Sequence, residues 1–106
     1  MSKAIVTEYY NHLANKDLDS LKNLFSDSIE LQSPTLTTDG KTAVSNGFND
    51  LFSGTTSIEV VSTTMYEDGD TVVSETNFQI DGASVKTADI FTVSGGLITA
   101  IHSYTV

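Results

Sequence analysis

Hydrophobic and polar residues alternate along the last part of the chain, and three turn sequences divide residues 57–106 into four segments. The turns are Glu67-Asp68-Gly69-Asp70, Asp81-Gly82 and Ser94-Gly95-Gly96. β-Branched and aromatic residues flank each of them, and short turns between such runs are typical of β-hairpins. The pattern therefore predicts an antiparallel meander of four strands.

The first part of the chain has a helical period instead, with apolar residues that recur every three or four positions. This spacing predicts amphipathic helices over residues 2–15, 17–26 and 41–52, and Asp17 is a candidate N-cap of the second helix. Their apolar positions are Ile5, Val6, Tyr9, Tyr10 and Leu13, then Leu18, Leu21, Leu24 and Phe25, then Val44, Phe48, Leu51 and Phe52.

The segment between the second and third helices is short and mostly polar. Ile29 and Leu31 alternate with polar residues and Pro34 follows them, which predicts a short edge strand over residues 28–33 and a loop over residues 35–40. The element order of two helices, a strand, a helix and four strands is typical of an α+β fold with its helices on one side of an antiparallel sheet. We expect one domain, residues 1–106.

Composition and charge exclude several classes of partner. The net charge is −9 and the five basic residues are all lysines, spread along the chain, whereas nucleic acids and anionic lipids require clustered basic side chains. The absence of cysteine excludes disulfides, thiolate metal sites and a cysteine nucleophile. No segment has the length of a membrane span or the features of a signal peptide. We expect a cytoplasmic protein, without a cofactor, whose ligand is small and apolar or weakly polar.

Asp89 is the one residue whose position in the pattern suggests chemistry. On the third strand of the meander, Val85, Thr87, Asp89, Phe91 and Val93 share one face because side chains alternate with a period of two. If that face is buried, Asp89 is a carboxyl group among apolar neighbours. A carboxyl group removed from water is more stable protonated, and a protonated acid can donate a hydrogen bond.

Two groups of residues could be read as metal sites, and each can also be explained as ordinary surface residues. Glu8 and His12 share a helix face and His102 would have to complete a site, but isolated surface histidines are common. The acidic residues at positions 67, 68 and 70 lack the spacing of a calcium loop and suit a solvated hairpin tip. We expect no metal site.

Segments along nearly the whole chain carry a family resemblance. Together with the element order, they resemble the nuclear transport factor 2-like (NTF2-like) superfamily, and most closely its SnoaL-like branch, which includes ketosteroid isomerases and polyketide cyclases. The resemblance implies a cone-shaped, curved antiparallel sheet wrapped around a long N-terminal helix, an α+β barrel also described as cystatin-like. The segments are Tyr9, residues 15–21, residues 24–31, Pro34, Gly40-Lys41, residues 88–91, residues 96–98 and Tyr104.

The resemblance also implies roles for particular residues. Isomerases of the family stabilise an oxyanion with a tyrosine from the first helix and a protonated aspartic acid from the sheet, and Tyr9 and Asp89 match these catalytic positions. Their base is an aspartate just before a proline, where this chain has Ser33. Serine is not a base near neutral pH without an activating partner. Asp39 is a substitute base or, as is more usual for a loop aspartate, a turn former. Tyr10 is expected to pack as part of the helix.

The resemblance finally implies a pocket and a dimer. On the last strand it places residues 101, 103 and 105 inside the cone and leaves His102 and Tyr104 on the outer face, where relatives dimerise. An apolar outer face also needs a cover, so we expect a homodimer. The predicted pocket residues are Phe25, Ser33, Phe52, Phe78, Phe91, Ile101 and Ser103.

Two functions remain open at this point. One is a proton-transfer enzyme of the isomerase or cyclase type that acts on an apolar carbonyl compound. The alternative is a noncatalytic module that binds a ligand or a second copy of itself. The missing base at Ser33 favours the alternative, and Asp89 on an apolar strand face favours the enzyme.

Overall fold

Nine elements of secondary structure make up the fold in the computed structural model, which describes residues 2–106. None of the helices in this range is long and apolar enough to cross a bilayer. The elements are α1 (Ser2–Ala14), α2 (Leu18–Lys22), β1 (Phe25–Gln32), β2 (Thr37–Asp39), α3 (Lys41–Gly54), β3 (Ile58–Asp68), β4 (Thr71–Ile80), β5 (Ala83–Ser94) and β6 (Leu97–Thr105).

The six strands form one open sheet in the order β2-β1-β6-β5-β4-β3. The predicted meander of β3 to β6 is confirmed, and each neighbouring pair in it is antiparallel. The sheet as a whole is mixed, because β1 runs parallel to β6. β2 and β3 are its two edges, so the expected barrel does not close. Register shifts in β1, β3 and β6 bend the strands and give the sheet its curvature.

The α+β class with helices on one side of a curved sheet is confirmed, but two local predictions are wrong. The second helix ends at Lys22, because Phe25 joins the sheet beside Ile98 instead of extending the helix. β1 is not an edge strand, since it lies between β6 and a short strand, β2. The predicted loop 35–40 therefore contains the actual edge. The cap at Asp17 is confirmed, with Oδ1 accepting a hydrogen bond from the Ser20 amide at 3.2 Å.

The core lies between the helices and the inner face of the sheet. From α1 it receives Val6, Tyr9, Tyr10 and Leu13, as the helical period predicts. The Tyr9 ring packs edge-on against Phe91, with ring centroids 5.0 Å apart. Aromatic pairs in this arrangement add to the free energy gained by burial alone. Helix α1 is thus fixed against the centre of the sheet.

A bulge between β5 and β6 decides which residues of the last strand point inward. Ile98 and Ile101 are both buried although a strict period of two would put them on opposite faces. The register shifts between Thr92 and Val93, and this extra residue on β6 reverses the alternation. As a result Ile101 lies opposite Phe91 and Ser103 lies opposite Asp89. The expectation that residue 105 lies inside the cone is wrong, because Thr105 is exposed.

Candidate ligand-binding site

A cavity of about 220 Å³ lies between α1, α3 and the inner face of the sheet. Most of its wall is apolar, and its polar side chains come from α1, β5, β6 and the segment after β1. A largely apolar cavity with a few polar groups is the usual form of a small-molecule site. The apolar wall includes Leu13, Leu31, Phe48, Phe78 and Ile101, and the polar groups include Tyr9, Ser33, Thr87, Asp89 and Ser103.

Asp89 is the charged residue of this cavity and is only 4% exposed. Its Oδ2 accepts hydrogen bonds from the hydroxyls of Tyr10 at 2.6 Å and Thr87 at 3.1 Å. Its Oδ1 accepts one from the Ser103 hydroxyl at 2.6 Å. Two carboxylate oxygens offer about four acceptor positions, so three hydroxyls leave one position open on Oδ1. The prediction that Asp89 and Thr87 share the inward face of β5 is correct.

The phenol that binds Asp89 belongs to Tyr10 and not to Tyr9. Tyr10 also shares a short hydrogen bond with Ser74, which lies opposite Asp89 on β4. Burial first, and then the negative charge of Asp89, raise the pKa of Tyr10. The phenol therefore keeps its proton and acts as a donor to Asp89. The expectation that Tyr10 only packs as part of the helix is wrong, because both neighbours on α1 face the sheet.

Tyr9 presents a hydroxyl group that no other group in residues 2–106 uses. The side chain is 6% exposed and lines the cavity, yet its hydroxyl forms no hydrogen bond with any group in residues 2–106. Burial, and then the negative charge of Asp89, raise the pKa of Tyr9 well above its ordinary value. At neutral pH the group is thus a protonated donor, available to a ligand in the cavity.

Neither residue considered as a base is placed to remove a proton in the cavity. The Ser33 hydroxyl donates to the Leu36 carbonyl at 2.9 Å and accepts from the Leu36 amide at 3.0 Å. It lines the cavity but closes a turn. Asp39 lies on β2, is exposed, and borders surface depressions apart from this cavity. Among the side chains that line the cavity, Asp89 carries the one carboxyl group within residues 2–106.

Four of the seven predicted pocket residues line the cavity and three do not. Ser33, Phe78, Ile101 and Ser103 are on its wall. The other three are buried in the core behind it. The ring of Tyr9 covers Phe91, and the ring of Phe48 packs against both Phe25, at 5.6 Å, and Phe52, at 6.4 Å. Phe25, Phe52 and Phe91, which were expected on the cavity wall, therefore lie behind it in the core.

Sequence reasoning also missed wall residues of two kinds. Phe48 lies on the apolar stripe of α3, so its period could have indicated it. Leu36 and Gly47 gave no signal, because their place depends on how the segment after β1 folds against α3. The candidate metal ligands at positions 8, 12 and 102 do not meet, and no cluster suited to a metal ion occurs within residues 2–106.

Solved structures with the same fold cover nearly the whole chain. An NTF2-like protein of unknown function from Cytophaga hutchinsonii has a TM-score of 0.85 and 17% identity, over 100% of this chain and 90% of that one. A candidate polyketide cyclase from Xanthomonas campestris has a TM-score of 0.86 and 14% identity, over 97% and 88%. An LEH-like epoxide hydrolase from M. tuberculosis has a TM-score of 0.82 and 21% identity, over 99% and 82%. These likenesses define the fold as NTF2-like.

The sequence places the chain within this superfamily more narrowly. The model of the SnoaL-like domain matches residues 6–101. The protein belongs to the SnoaL-like family, as the resemblance predicted. Comparison with curated protein sequences found no match.

The two adjacent tyrosines should respond differently to the loss of their hydroxyl groups. In Tyr10→Phe, Asp89 and Ser74 lose a buried partner, and we expect the free energy of unfolding to fall by about 1–3 kcal/mol. In Tyr9→Phe no hydrogen bond is lost, so stability should stay the same or rise by up to about 1 kcal/mol. Urea unfolding at pH 7 measures both. Equal losses in the two variants would contradict the assignment of the hydrogen bond to Tyr10.

Proposed function

We propose that this protein binds a small apolar carbonyl compound in the cavity and catalyses proton transfer on it. The observation that carries the proposal is a buried phenol, Tyr9, with no hydrogen-bond partner within residues 2–106, beside a buried carboxyl, Asp89, in a cavity whose wall is mostly apolar. In such a pair the phenol can donate a hydrogen bond to a carbonyl oxygen, and the carboxylate can accept a proton from the neighbouring carbon. Keto-enol isomerisation and enolate-driven ring closure both begin with this step.

Tyr9 would bind the carbonyl oxygen. Its raised pKa keeps the hydroxyl protonated, and the cavity wall around it is mostly apolar. When a proton leaves the carbon next to the carbonyl, negative charge collects on the oxygen. A donor already aimed at that oxygen stabilises the charge most where the surroundings are apolar.

Asp89 would accept the proton, which differs from the protonated-acid role suggested by its place on an apolar strand face and by the resemblance. Its three hydrogen bonds all come from hydroxyl donors, so the carboxyl is arranged as an acceptor. Because Oδ2 is bonded twice and Oδ1 once, the open position on Oδ1 can take a proton from carbon. The same oxygen can then return it to another carbon or to the enolate oxygen, which completes the transfer.

The fold neighbours are compatible with an enzyme of this kind. Two of the proteins named above are described as a candidate polyketide cyclase and an LEH-like epoxide hydrolase. Their low identity supports the scaffold and leaves the reaction to the residues of this chain.

A noncatalytic ligand-binding protein is the second candidate. The observation that favours it is Ser33, whose hydroxyl closes a turn at the position where isomerases resembling this protein have their base. In this case Tyr9 would still donate to a bound ketone, but no proton would move.

We also propose that the protein forms a homodimer through the outer face of β5 and β6. On this face Ala88 lies opposite Tyr104, and Ile90 lies opposite His102. Tyr104 is 48% exposed, and these four residues carry no carboxylate or lysine. A two-fold dimer would cover the patch with its own copy.

Exchange of the methyl protons of acetophenone in D₂O, followed by NMR, distinguishes the two candidate functions. For the enzyme, the protein should accelerate exchange above the buffer rate. Asp89→Asn should lower the acceleration by about a hundredfold or more, since general bases contribute that much. Tyr9→Phe should also lower it, whereas the exposed Tyr66→Phe should not. Acetophenone binding without accelerated exchange would reject catalysis and leave the binding protein.

Sedimentation velocity tests the dimer separately. We expect the wild-type protein to sediment as a dimer and Tyr104→Asp to sediment as a monomer, because the new charge would be buried at the interface. Tyr66→Asp is the matched control, since Tyr66 is 58% exposed on the edge strand β3, and it should remain dimeric. A monomeric wild-type protein at micromolar concentration would refute the proposal.

A further inference from the structure

The mouth of the cavity is bordered by two exposed leucines, Leu51 on helix α3 and Leu36, which lies against the same helix. Leu36 lines the cavity and is 39% exposed, so it stands between the cavity and solvent. Its Cδ2 atom is 2.7 Å from the point where a Cβ on Gly47 would be. A side chain at position 47 would therefore force the end of the Leu36 side chain to move. A glycine in the middle of α3 costs helix stability. Because Gly47 has no side chain, Leu36 can pack directly against the helix at this position.

The segment that carries Leu36 is held in place by its own hydrogen bonds. The backbone amide of Ser33 donates to the Leu36 carbonyl at 2.9 Å, in addition to the two bonds of the Ser33 hydroxyl. Pro34, inside this turn, has a fixed φ. Three hydrogen bonds and a proline in four residues leave the turn little freedom, so the backbone of Leu36 cannot easily withdraw from the helix.

The volume behind this constriction suits a ligand with one ring. A cavity of about 150 Å³ holds a benzene molecule, and the cavity here measures about 220 Å³. That is room for one ring and a carbonyl substituent, but less than twice the volume of a cavity that holds one ring. The deeper wall cannot expand cheaply, because Phe48, Phe78 and Ile101 are buried in close-packed surroundings.

We infer that Leu36, packed against Gly47, is a specificity-determining residue that limits the ligand to compounds with a single ring. The inference rests on the proposed function, in that a carbonyl compound bound to Tyr9 has to extend from the polar end of the cavity toward the mouth. A second fused ring would reach the space that Leu36 fills. Truncation of Leu36 opens that space to solvent and leaves Tyr9 and Asp89 unchanged.

Titration of two ketones into the protein, followed by amide chemical shifts in NMR, tests the size limit. Acetophenone has one ring, and 2-acetylnaphthalene presents the same carbonyl on two fused rings. For the wild-type protein we expect acetophenone to bind at least about tenfold more tightly than 2-acetylnaphthalene. For Leu36→Ala the two dissociation constants should come within about threefold of each other, mainly because the naphthyl ketone binds better.

Leu97→Ala is the matched control. Leu97 has nearly the same exposure, 37%, and lies at the start of β6, outside the residues that line the cavity. This variant should keep the wild-type preference. An unchanged preference in Leu36→Ala, with acetophenone still bound, would overturn the size limit and leave the proposed function standing. Failure of both ketones to bind the wild-type protein and Leu36→Ala would overturn both.

Discussion

The hydrogen bond from Tyr10 to Asp89 is the contact on which the rest of the site depends. It joins the first helix to the centre of the sheet through two buried side chains that are 79 positions apart in the sequence. A buried carboxyl group is costly without partners, and Tyr10, Thr87 and Ser103 supply them. Tyr10 occupies one acceptor position of Asp89, whereas its neighbour Tyr9 has no hydrogen-bond partner within residues 2–106. The unused donor and the carboxyl with one open acceptor position together give the cavity its polar end.

Much of the fold follows from local patterns in the sequence. The turns at residues 67–70, 81–82 and 94–96 mark the meander, and the helical period marks α1 and α3. The errors lie where a short apolar segment suits two structures. Leu24 and Phe25 extend a helical stripe as well as they begin a strand, and only pairing with β6 decides between them. β2 could not be predicted, because its polar residues become a strand only beside β1.

The site shows the same division between pattern and tertiary contact. Asp89 was identifiable because alternation along β5 places it among apolar residues. The sequence could not decide between Tyr9 and Tyr10, because both lie on the buried side of α1 and a helix turns by only about 100° per residue. Which phenol reaches Asp89 depends on how α1 is rotated over the sheet. The place of Leu36 against Gly47 likewise depends on two segments that are brought together only by folding.

The central claim is that Tyr9 donates to a ligand while Tyr10 remains bonded to Asp89. A crystal structure of the protein with acetophenone tests it most directly. We expect the ketone oxygen within about 2.5–3.0 Å of the Tyr9 hydroxyl oxygen, with the bond between Tyr10 and Asp89 intact. A structure in which Tyr9 is bonded to Asp89, or in which the ketone lies outside the cavity, would contradict the account.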